Sequence, residues 1–463
     1  MKKYREEKDT MGIVRVPLTA YYGAQTQRAA DNFPISNRKL PFTFIRALAL
    51  IKQCAARVNR ELDLLDGERA EAIVQAAREV MEGRFNDQFV VDVFQTGSGT
   101  STNMNVNEVL ASRANEILTG KRGGKNPLHP NDHVNLGQSS NDVIPSTLHI
   151  AALGSIRNLL TPGLARLHRS LSQKADEFSG VEKLGRTHLQ DAVPMTLGQE
   201  FSGFARQIEL GIQRIGAVEE SLSELALGGT AVGTGENAHP EFGPKVIFLI
   251  AEQTNIPFRQ AKNHFEAQAA RDAAVETSGA LKTIAVSLTK IANDIRWLAS
   301  GPRCGIGEIN IPPLQPGSSI MPGKVNPVIA EVVLQVAAQV MGNDTAIMIG
   351  GQAGNFELNV MIPLIAHNLL ESIEILAAAA DVFAAKCIDG ISANRQICAA
   401  NIEKSLALAT RLVPHIGYDR AAAVAKKAGE TRKTVVEIVR AEKLLSEEAL
   451  QKIITGERKQ RGM

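Results

Sequence analysis

Apolar residues recur at steps of three and four over several long stretches of the chain. Residues 258–300 contain no proline and one glycine, and leucine and isoleucine repeat there at helical spacing, so one long helix with a buried seam is predicted. The same pattern predicts a second long helix over 363–390. Further helical stretches are residues 146–177, broken or kinked at Pro162, residues 198–227, and the segment after Pro327. About five helices able to share one bundle predict a mainly α chain.

Three parts are predicted along the chain. Residues 1–137 mix short helices with loops rich in glycine, proline and asparagine, residues 138–394 hold the long-helix bundle, and residues 395–463 form a small helical domain. Helices longer than about 25 residues carry more apolar surface than one neighbour covers. We therefore expect the central helices to complete their burial against other copies of the chain.

Composition excludes several classes of partner. The formal net charge is only +2 and the basic residues are scattered, so neither nucleic acid nor a membrane surface is expected as a partner. The short basic termini, 1–5 and 458–461, are interpreted as solvated ends. No apolar run approaching about 20 residues and no leader sequence is recognised, which predicts a cytoplasmic protein. Four separated cysteines and nine histidines without ligand spacing predict no metal and no cofactor.

Residues 317–327 form the most unusual connector, because two glycines and two prolines accompany a serine pair, Lys324 and Asn326 without other charge. The glycines allow N–H groups to turn inward, and Lys324 adds a positive charge. Asn326 is predicted as the N-cap and Pro327 as the first residue of the next helix, whose dipole adds to the field. Taken alone, a connector of this composition is usually structural, but the density of these features favours a site for an oxygen anion.

Two further segments combine hydroxyl groups with the start of a helix. Residues 96–103, Thr-Gly-Ser-Gly-Thr-Ser-Thr-Asn, lead into a helical pattern over 107–118, and residues 138–142, Gln-Ser-Ser-Asn-Asp, open another helix. Each segment is a candidate anion site through its free N–H groups. An ordinary N-cap explains either segment equally well when it is taken alone.

A titratable base is offered by residues 185–191, which set His188 among hydroxyl, amide and carboxylate neighbours. A lone histidine is more often a structural hydrogen-bond donor, so a catalytic role requires a partner. Glu331 follows the start of the helix after Pro327, and it would orient the imidazole if folding or assembly brought the two side chains together.

The segment Gly-Ser-Ser-Ile-Met-Pro-Gly-Lys-Val-Asn-Pro at 317–327 resembles the signature of the fumarase/aspartase superfamily. The resemblance covers nearly the whole chain, from Gly-Ala-Gln-Thr-Gln-Arg at 23–28 to His-Ile-Gly-Tyr-Asp at 415–419. Within the superfamily the chain looks most like the metal-free class II fumarases. The segments that discriminate are 129–132, 139–142 and 186–188, where aspartases usually carry glutamine in place of His188.

The resemblance implies a fold, an assembly and a reaction. The expected fold is a three-domain chain whose central helices form one shared bundle in a homotetramer, with each active site drawing loops from three subunits. The expected reaction, in the tricarboxylic acid cycle, is reversible anti addition of water to fumarate to give (S)-malate. An aci-carboxylate dianion is the intermediate, and only a dense, fixed array of donors stabilises such a species.

The resemblance also assigns roles to single residues. Ser318 is the base that takes the carbon-bound proton, and His188, partnered by Glu331, serves the departing water together with Thr187. The residues assigned to the substrate carboxylates are Ser98, Thr100, Ser139, Ser140, Asn141, Ser319, Lys324 and Asn326. A second dicarboxylate site is assigned to His129, Asn131 and Asp132, for which a simple surface turn is the alternative.

Three departures from the usual fumarase pattern keep alternatives open. Leu136 belongs to a less polar pair than usual, Leu189 stands where threonine is usual, and Gln315 replaces a glutamate. Leu136 and Gln315 are more typical of aspartate ammonia-lyase, the second candidate, whereas His188 and Ser140 favour water as the leaving group. Argininosuccinate or adenylosuccinate lyase would need pocket residues for a bulky leaving group that the sequence does not show. A non-catalytic helical oligomer is the alternative from another class.

Overall fold

The computed structural model describes residues 3–454, which fold mainly into helices. The predicted mainly α class is confirmed. The basic run at 458–461, interpreted above as a solvated end, lies outside the described residues, as do Met1 and Lys2.

The chain begins with a hairpin and a set of helices. In order, the elements are β1 Tyr4–Asp9, β2 Gly12–Pro17, α1 Ala24–Asn32, α2 Phe42–Glu61, α3 Gly67–Met81, α4 Thr100–Thr119, α5 Ser140–Ser155, α6 Thr161–Glu177, β3 Glu182–Thr187, β4 Gln190–Thr196, α7 Leu197–Ala217, α8 Glu219–Leu222 and β5 Glu224–Leu225. Two π-helical turns occur, at Pro130–Val134 and Ile156–Leu160.

The remaining elements follow the same plan of long helices joined by short strands. They are α9 Phe242–Thr254, β6 Arg259–Gln260, α10 His264–Ala269, α11 Asp272–Leu298, β7 Ile309–Asn310, α12 Val328–Gly351, β8 Gly354–Asn355, β9 Leu358–Asn359, α13 Ile362–Lys386, β10 Ser392–Ala393, α14 Arg395–Lys404, α15 Val413–Ile416, α16 Tyr418–Thr431, α17 Val435–Ala441 and α18 Glu447–Ile454. Within residues 3–454 the strands form two-stranded sheets. All are antiparallel except the β5–β6 pair.

The long helices agree with the apolar pattern except at their ends. The helix predicted over 258–300 begins only at Asp272, because Asn263 caps the separate helix α10 and Ala270 is extended, with φ −94° and ψ 156°. The helix predicted over 198–227 ends at Ala217 and is followed by α8 and β5. The break predicted at Pro162 takes the form of a π-helical turn, in which the Thr161 N–H donates to the Ile156 carbonyl.

The chain divides into two compact units. Unit 1 comprises the residues up to Gly163, Gly211–Val286 and Gln335–Ala378, and unit 2 comprises Leu164–Leu210, Ser287–Leu334 and the residues from Ala379 onward. In unit 1, α2 packs against α3 and α5. In unit 2, the C-terminal helices enclose a core that includes Leu408, Val424 and Ile438. The division at 137 and 394 into three domains stays a prediction.

Two helical segments, Val328–Gly351 and Ile362–Gly390, are long and apolar enough to cross a membrane by length and composition alone. The expectation that no apolar run approaches this length is therefore wrong, since widely spaced polar residues leave the mean hydropathy high. Core helices of soluble proteins pass the same test, and 67% of the apolar window of the second segment is buried. Only 33% is buried in the first, where Val332, Met348 and Ile349 are exposed.

Candidate active site

The connector at 317–327 is closed into a loop by its own hydrogen bonds. The Gly317 N–H donates to the Lys324 carbonyl at 2.7 Å, and Asn326 Nδ2 donates to the Gly317 carbonyl at 2.8 Å. A Cβ atom on Gly317 would lie 2.6 Å from the Lys324 carbonyl oxygen, which is too close for any side chain. Glycine at 317 therefore lets the two ends of the loop meet.

Ser318 is the best-defined side chain of this loop. Its Oγ accepts hydrogen bonds from the N–H groups of Ile320 at 3.2 Å and Met321 at 3.1 Å. Two donors aimed at one hydroxyl oxygen stabilise negative charge on it and so favour its ionised form. Ser318 is half-buried, whereas the following Ser319 is exposed. The geometry thus provides part of what a serine base requires.

The predicted cap of the next helix is wrong by one residue. The first hydrogen bond of α12 runs from the Glu331 N–H to the Pro327 carbonyl, at 3.1 Å, so Pro327 is the cap position and Val328 the first helical residue. The Asn326 amide is engaged by Gly317 instead. The exposed Lys324 ammonium has no hydrogen bond or ion pair with any residue in the described part of the chain, and it is available to an anion.

His188 lies at the tip of the β3–β4 hairpin. Thr187 pairs with Gln190, which leaves His188 and Leu189 as the two turn residues, with φ of 57° and 59°. Two successive positive φ angles are typical of a type I′ turn, which normally carries asparagine or glycine. Non-glycine residues in this conformation cost about 1–2 kcal/mol each, and such strain is concentrated at functional sites. The turn displays Thr187 and the imidazole to solvent.

The predicted pairing of His188 with Glu331 does not form within one copy of the chain. Both residues belong to unit 2, yet neither side chain has a hydrogen bond or ion pair to any residue between 3 and 454. A partnership supplied by assembly remains a prediction.

A cluster of ion pairs holds the base of the β3–β4 hairpin. Arg186 donates to both carboxylate oxygens of Glu308, at 3.0 and 2.7 Å, and Lys183 Nζ lies 3.3 Å from Glu308 and 2.7 Å from Glu200. Glu308 is fully buried. Burial raises the pKa of its carboxyl, but the Arg186 hydrogen bond and the Lys183 charge outweigh this and hold it below its usual range. Arg186, the residue before Thr187, is thereby held in place.

Replacing Glu308 by glutamine should destabilise the protein, because the buried Lys183 and the partly buried Arg186 would lose their shared carboxylate. Breaking a buried pair in this way costs about 3–5 kcal/mol. Urea denaturation followed by circular dichroism measures the effect. Glu209→Gln is the matched control, since the Arg206–Glu209 pair is exposed, and its midpoint should equal that of the wild type. Equal midpoints for both variants would show that the cluster does not hold the hairpin.

The segment at 96–103 packs tightly in unit 1. A Cβ on Gly97 would lie 1.7 Å from the Val360 carbonyl oxygen, and the Gly97 carbonyl accepts the Ile362 N–H at 3.0 Å. Ser98 Oγ and Thr100 Oγ1 lie 2.8 Å apart. The left-handed Gly99 precedes α4 and gives no side-chain cap, and the Thr102 N–H donates to Gln95 Oε1 at 3.0 Å. The N–H groups of Thr100 and Ser101 have no partner among residues 3–454 and stay available for an anion.

The segment at 138–142 caps α5 and also carries candidate ligands. Ser139 and Asp142 form a capping box, which agrees with the alternative of an ordinary cap. The Asn141 amide donates to the Ala231 carbonyl at 2.8 Å, and Ser140 Oγ accepts from Asn103 Nδ2 at 3.4 Å. Since α4 carries Asn103, the starts of α4 and α5 are joined, and Ser98, Thr100, Ser139, Ser140 and Asn141 belong to one region of unit 1.

A buried lysine behind this region was missed by the sequence-based predictions. Lys52 Nζ, fully buried on α2, donates to Asn135 Oδ1 at 2.9 Å and Gln138 Oε1 at 2.8 Å. Asn135 Oδ1 also accepts from Asn103 Nδ2 at 3.1 Å. This lysine therefore fixes the loop before Ser139 and, through Asn103, reaches Ser140. A lysine among the alanines and leucines of α2 was the only available signal.

Two buried titratable groups meet in this network with opposite shifts. Burial lowers the pKa of Lys52 to about 7, although the Asp142 charge opposes the shift. Burial raises the pKa of Asp142 to about 6, while N–H groups of Ser139, Thr230 and Gly228 oppose it. Both follow from the cost of a buried charge.

The lysine should give stability a distinct pH dependence. Its folded-state pKa is lowered from 10.5 to about 7, so between these values the unfolded chain holds a proton that the folded chain has lost. The free energy of unfolding then rises with pH in this window, by about 1.4 kcal/mol per unit. The difference between wild type and Lys52→Met, from urea titrations at pH 7.5–10, should show this slope. The exposed control Lys426→Met should keep it, and an identical slope in all three proteins would contradict the assignment.

The segment assigned to a second dicarboxylate site is a tight turn. His129 Nδ1 accepts the N–H groups of Asn131 at 3.1 Å and Asp132 at 3.2 Å. Burial lowers the pKa of His129. A turn held in this way agrees with the structural alternative, and the site itself stays a prediction.

The three residues that depart from the usual fumarase pattern, Leu136, Leu189 and Gln315, differ in their surroundings. The Leu136 carbonyl accepts Asn59 Nδ2 at 3.1 Å, so its contact here is made by the backbone. Leu189 and Gln315 are exposed. None of the three side chains hydrogen-bonds to a residue assigned to the site within the described part of the chain.

Residues 12–342 match the family model described as "Lyase", which places the chain among the lyases. Residues 408–458 match the model described as "Fumarase C C-terminus". The chain is 56% identical to class II fumarate hydratase of Nitrosomonas europaea over 94% of this chain and 95% of the relative. It is 57% identical to that of Mycobacterium tuberculosis, over 94% and 91%. The crystal structure of class II fumarase from Schistosoma mansoni has a TM-score of 0.95 at 40% identity, covering 99% of this chain and 100% of that one. The chain belongs to the class II fumarate hydratase family.

Proposed function

We propose that this chain catalyses the reversible anti addition of water to fumarate, giving (S)-malate. Family membership carries the proposal, and the Ser318 geometry supports it. In the direction of dehydration, Ser318 Oγ, as the alkoxide, takes a proton from the carbon next to one carboxylate. The electron pair enters that carboxylate and gives the aci-carboxylate. The electron pair of the aci-carboxylate then forms the C=C bond as the C–O bond on the neighbouring carbon breaks, and His188, as the imidazolium, donates a proton so that water departs.

In this proposal the carboxylate clamps come from different subunits of the assembly. Ser98, Thr100, Ser139, Ser140 and Asn141 belong to unit 1, and Ser319, Lys324 and Asn326 belong to unit 2. Helix N-termini and the exposed Lys324 ammonium supply positive potential where the dianion develops. Because the donors are held by their own loops, they need little reorganisation during the reaction.

The proposed assembly is a homotetramer in which three subunits contribute to each active site. Two features support it. Apolar side chains on α12 are exposed in the single chain, and neither His188 nor Glu331 has a side-chain partner among residues 3–454. A cytoplasmic location, action in the tricarboxylic acid cycle, and the absence of membrane and nucleic-acid partners belong to the same proposal, as does catalysis without a metal or cofactor.

Substrate choice tests the reaction directly. Incubation with (S)-malate should produce fumarate, followed by its ultraviolet absorbance, whereas L-aspartate should give at least about 10³-fold less, because leaving-group contacts can discriminate by that much. The relatives cited above are hydratases, which disfavours the ammonia-lyase. Faster release from aspartate would reverse the assignment, and no turnover of either compound would favour a scaffold role.

A further inference from the structure

Unit 1 contains a cleft of about 560 Å³ that is lined by none of the residues assigned to the dicarboxylate sites. It lies beside α5, α8 and the start of α11, and its walls include Ala267, Ala270 and Ala273. Small apolar walls leave room for a ligand, and the volume falls in the range of small-molecule sites.

Arg271 is a buried cation whose hydrogen bonds are incomplete. The side chain is 2% exposed, and its Nη2 donates to the Ala267 carbonyl. Its Nε and Nη1 atoms are buried without a partner among residues 3–454. Burial lowers the pKa of Arg271 to about 10, and the Glu266 and Asp272 charges only partly oppose the shift. A guanidinium in this setting is costly unless an anion completes its hydrogen bonds.

No carboxylate that lines the cleft forms a hydrogen bond or ion pair with Arg271 within residues 3–454. Glu220 Oε1 lies 3.6 Å from Arg259, and Glu276 Oε2 accepts from Ser221 Oγ at 2.7 Å. Arg259 already engages the Glu224 carboxylate at 3.3 Å. His149 Nδ1 lies 2.8 Å from the Glu224 carbonyl oxygen, and burial, with the Arg271 charge, lowers its pKa to about 4, so the ring is neutral.

Two exposed carboxylates of the cleft, those of Glu266 and Asp272, form no ion pair with a described residue, although the Arg271 charge acts on both. Glu266 and Asp272 are exposed and accept no side-chain hydrogen bond from the described residues. Burial raises the pKa of Glu266, and the Asp272 and Glu224 charges add to the shift although Arg271 opposes it. The cleft therefore offers unused donors at a buried position and unused acceptors near its opening.

We propose that this cleft binds a small zwitterion of the α-amino acid class, with the ligand carboxylate on Arg271 and its ammonium on Glu266 or Asp272. A simple carboxylate or dicarboxylate would meet uncompensated acidic groups, and a simple amine would leave Arg271 unpaired. A ligand carrying both charges satisfies both requirements. This binding is independent of the proposed hydration reaction.

Calorimetric titration tests the site in the full-length protein. Glycine, L-alanine, L-serine and L-valine are suitable probes, because they lack the second carboxylate of the substrate, and saturating malate keeps the dicarboxylate site filled. At least one of them should bind tenfold or more tightly than propionate or ethylamine, which carry one charge each. Arg271→Met should weaken that binding at least tenfold, while Arg206→Met, an exposed arginine on α7, should leave it unchanged.

Stability provides a second readout that separates binding from misfolding. Without ligand, Arg271→Met should unfold at a higher urea midpoint than the wild type, because an incompletely paired buried cation is removed. Ala270→Phe, which keeps Arg271 but fills the cleft, should also abolish binding. The proposal is overturned if none of the four amino acids binds, if Arg271→Met binds as the wild type does, or if this variant only changes the oligomeric state.

Discussion

Turnover of malate should fall by about 10³-fold or more when Ser318 is replaced by alanine, because removal of a positioned base typically costs 10²–10⁴-fold. Two N–H groups converge on this oxygen, at 3.2 and 3.1 Å, and alanine places no oxygen at that position. Since the loop is closed by Gly317, Lys324 and Asn326, its backbone should persist in the variant.

Steady-state kinetics with malate and fumarate measures this effect, with far-UV circular dichroism and gel filtration as checks of folding and assembly. Ser319→Ala is the informative comparison. This neighbouring serine is exposed and is assigned to a substrate carboxylate, so its loss should raise KM more than it lowers kcat. Near-normal kcat for Ser318→Ala would remove Ser318 from the role of base.

His188→Asn should lower kcat by about 10²–10⁴-fold, because the departing water would lose its proton donor. The hairpin should keep its shape, since asparagine is well suited to a positive φ angle, and this makes the substitution a test of chemistry more than of folding. A kcat close to that of the wild type would indicate that another group protonates the leaving oxygen.

Mixing the two inactive variants tests whether the active site is shared. If Ser318 and His188 come from different subunits, tetramers reassembled at random from equal amounts of Ser318→Ala and His188→Asn chains should regain about a quarter of wild-type activity, because about one site in four receives both intact residues. If both residues act from one subunit, no site is intact and activity stays at the level of the parents.

The long helices could be predicted because their signal is local. Apolar residues at helical spacing identify α11 and α13 from the sequence alone. This pattern is the same whether the apolar face packs against the same chain or against another copy. The first and last residues of the helices were predicted less accurately. Asn326 has the composition of an N-cap, but the Gly317 carbonyl competes for its amide, and that competition depends on the three-dimensional path of the loop.

The residues of the candidate site also differ in how well the sequence alone identifies them. The loop containing Ser318 was recognised because its residues are contiguous. The network around Lys52 was not, since its contacts to Asn135 and Gln138 span 83 and 86 residues, and a lysine in an apolar helix gives no indication of which amides it meets. The bidentate contact of Arg186 with Glu308 spans 122 residues, and no local pattern predicts it.

The turn at His188 and Leu189 has a consequence for how this family can change. His188 and Leu189 both have left-handed backbone angles that are unfavourable for residues with a side chain. Glycine or asparagine at 189 would relieve this strain and stabilise the folded protein. Selection for thermal resistance alone would move the sequence in that direction. A flexible glycine beside His188 would also make the orientation of the imidazole less well defined. Stability and rate are therefore in conflict at this turn, and residue 189 is a place where relatives adapted to different temperatures should diverge.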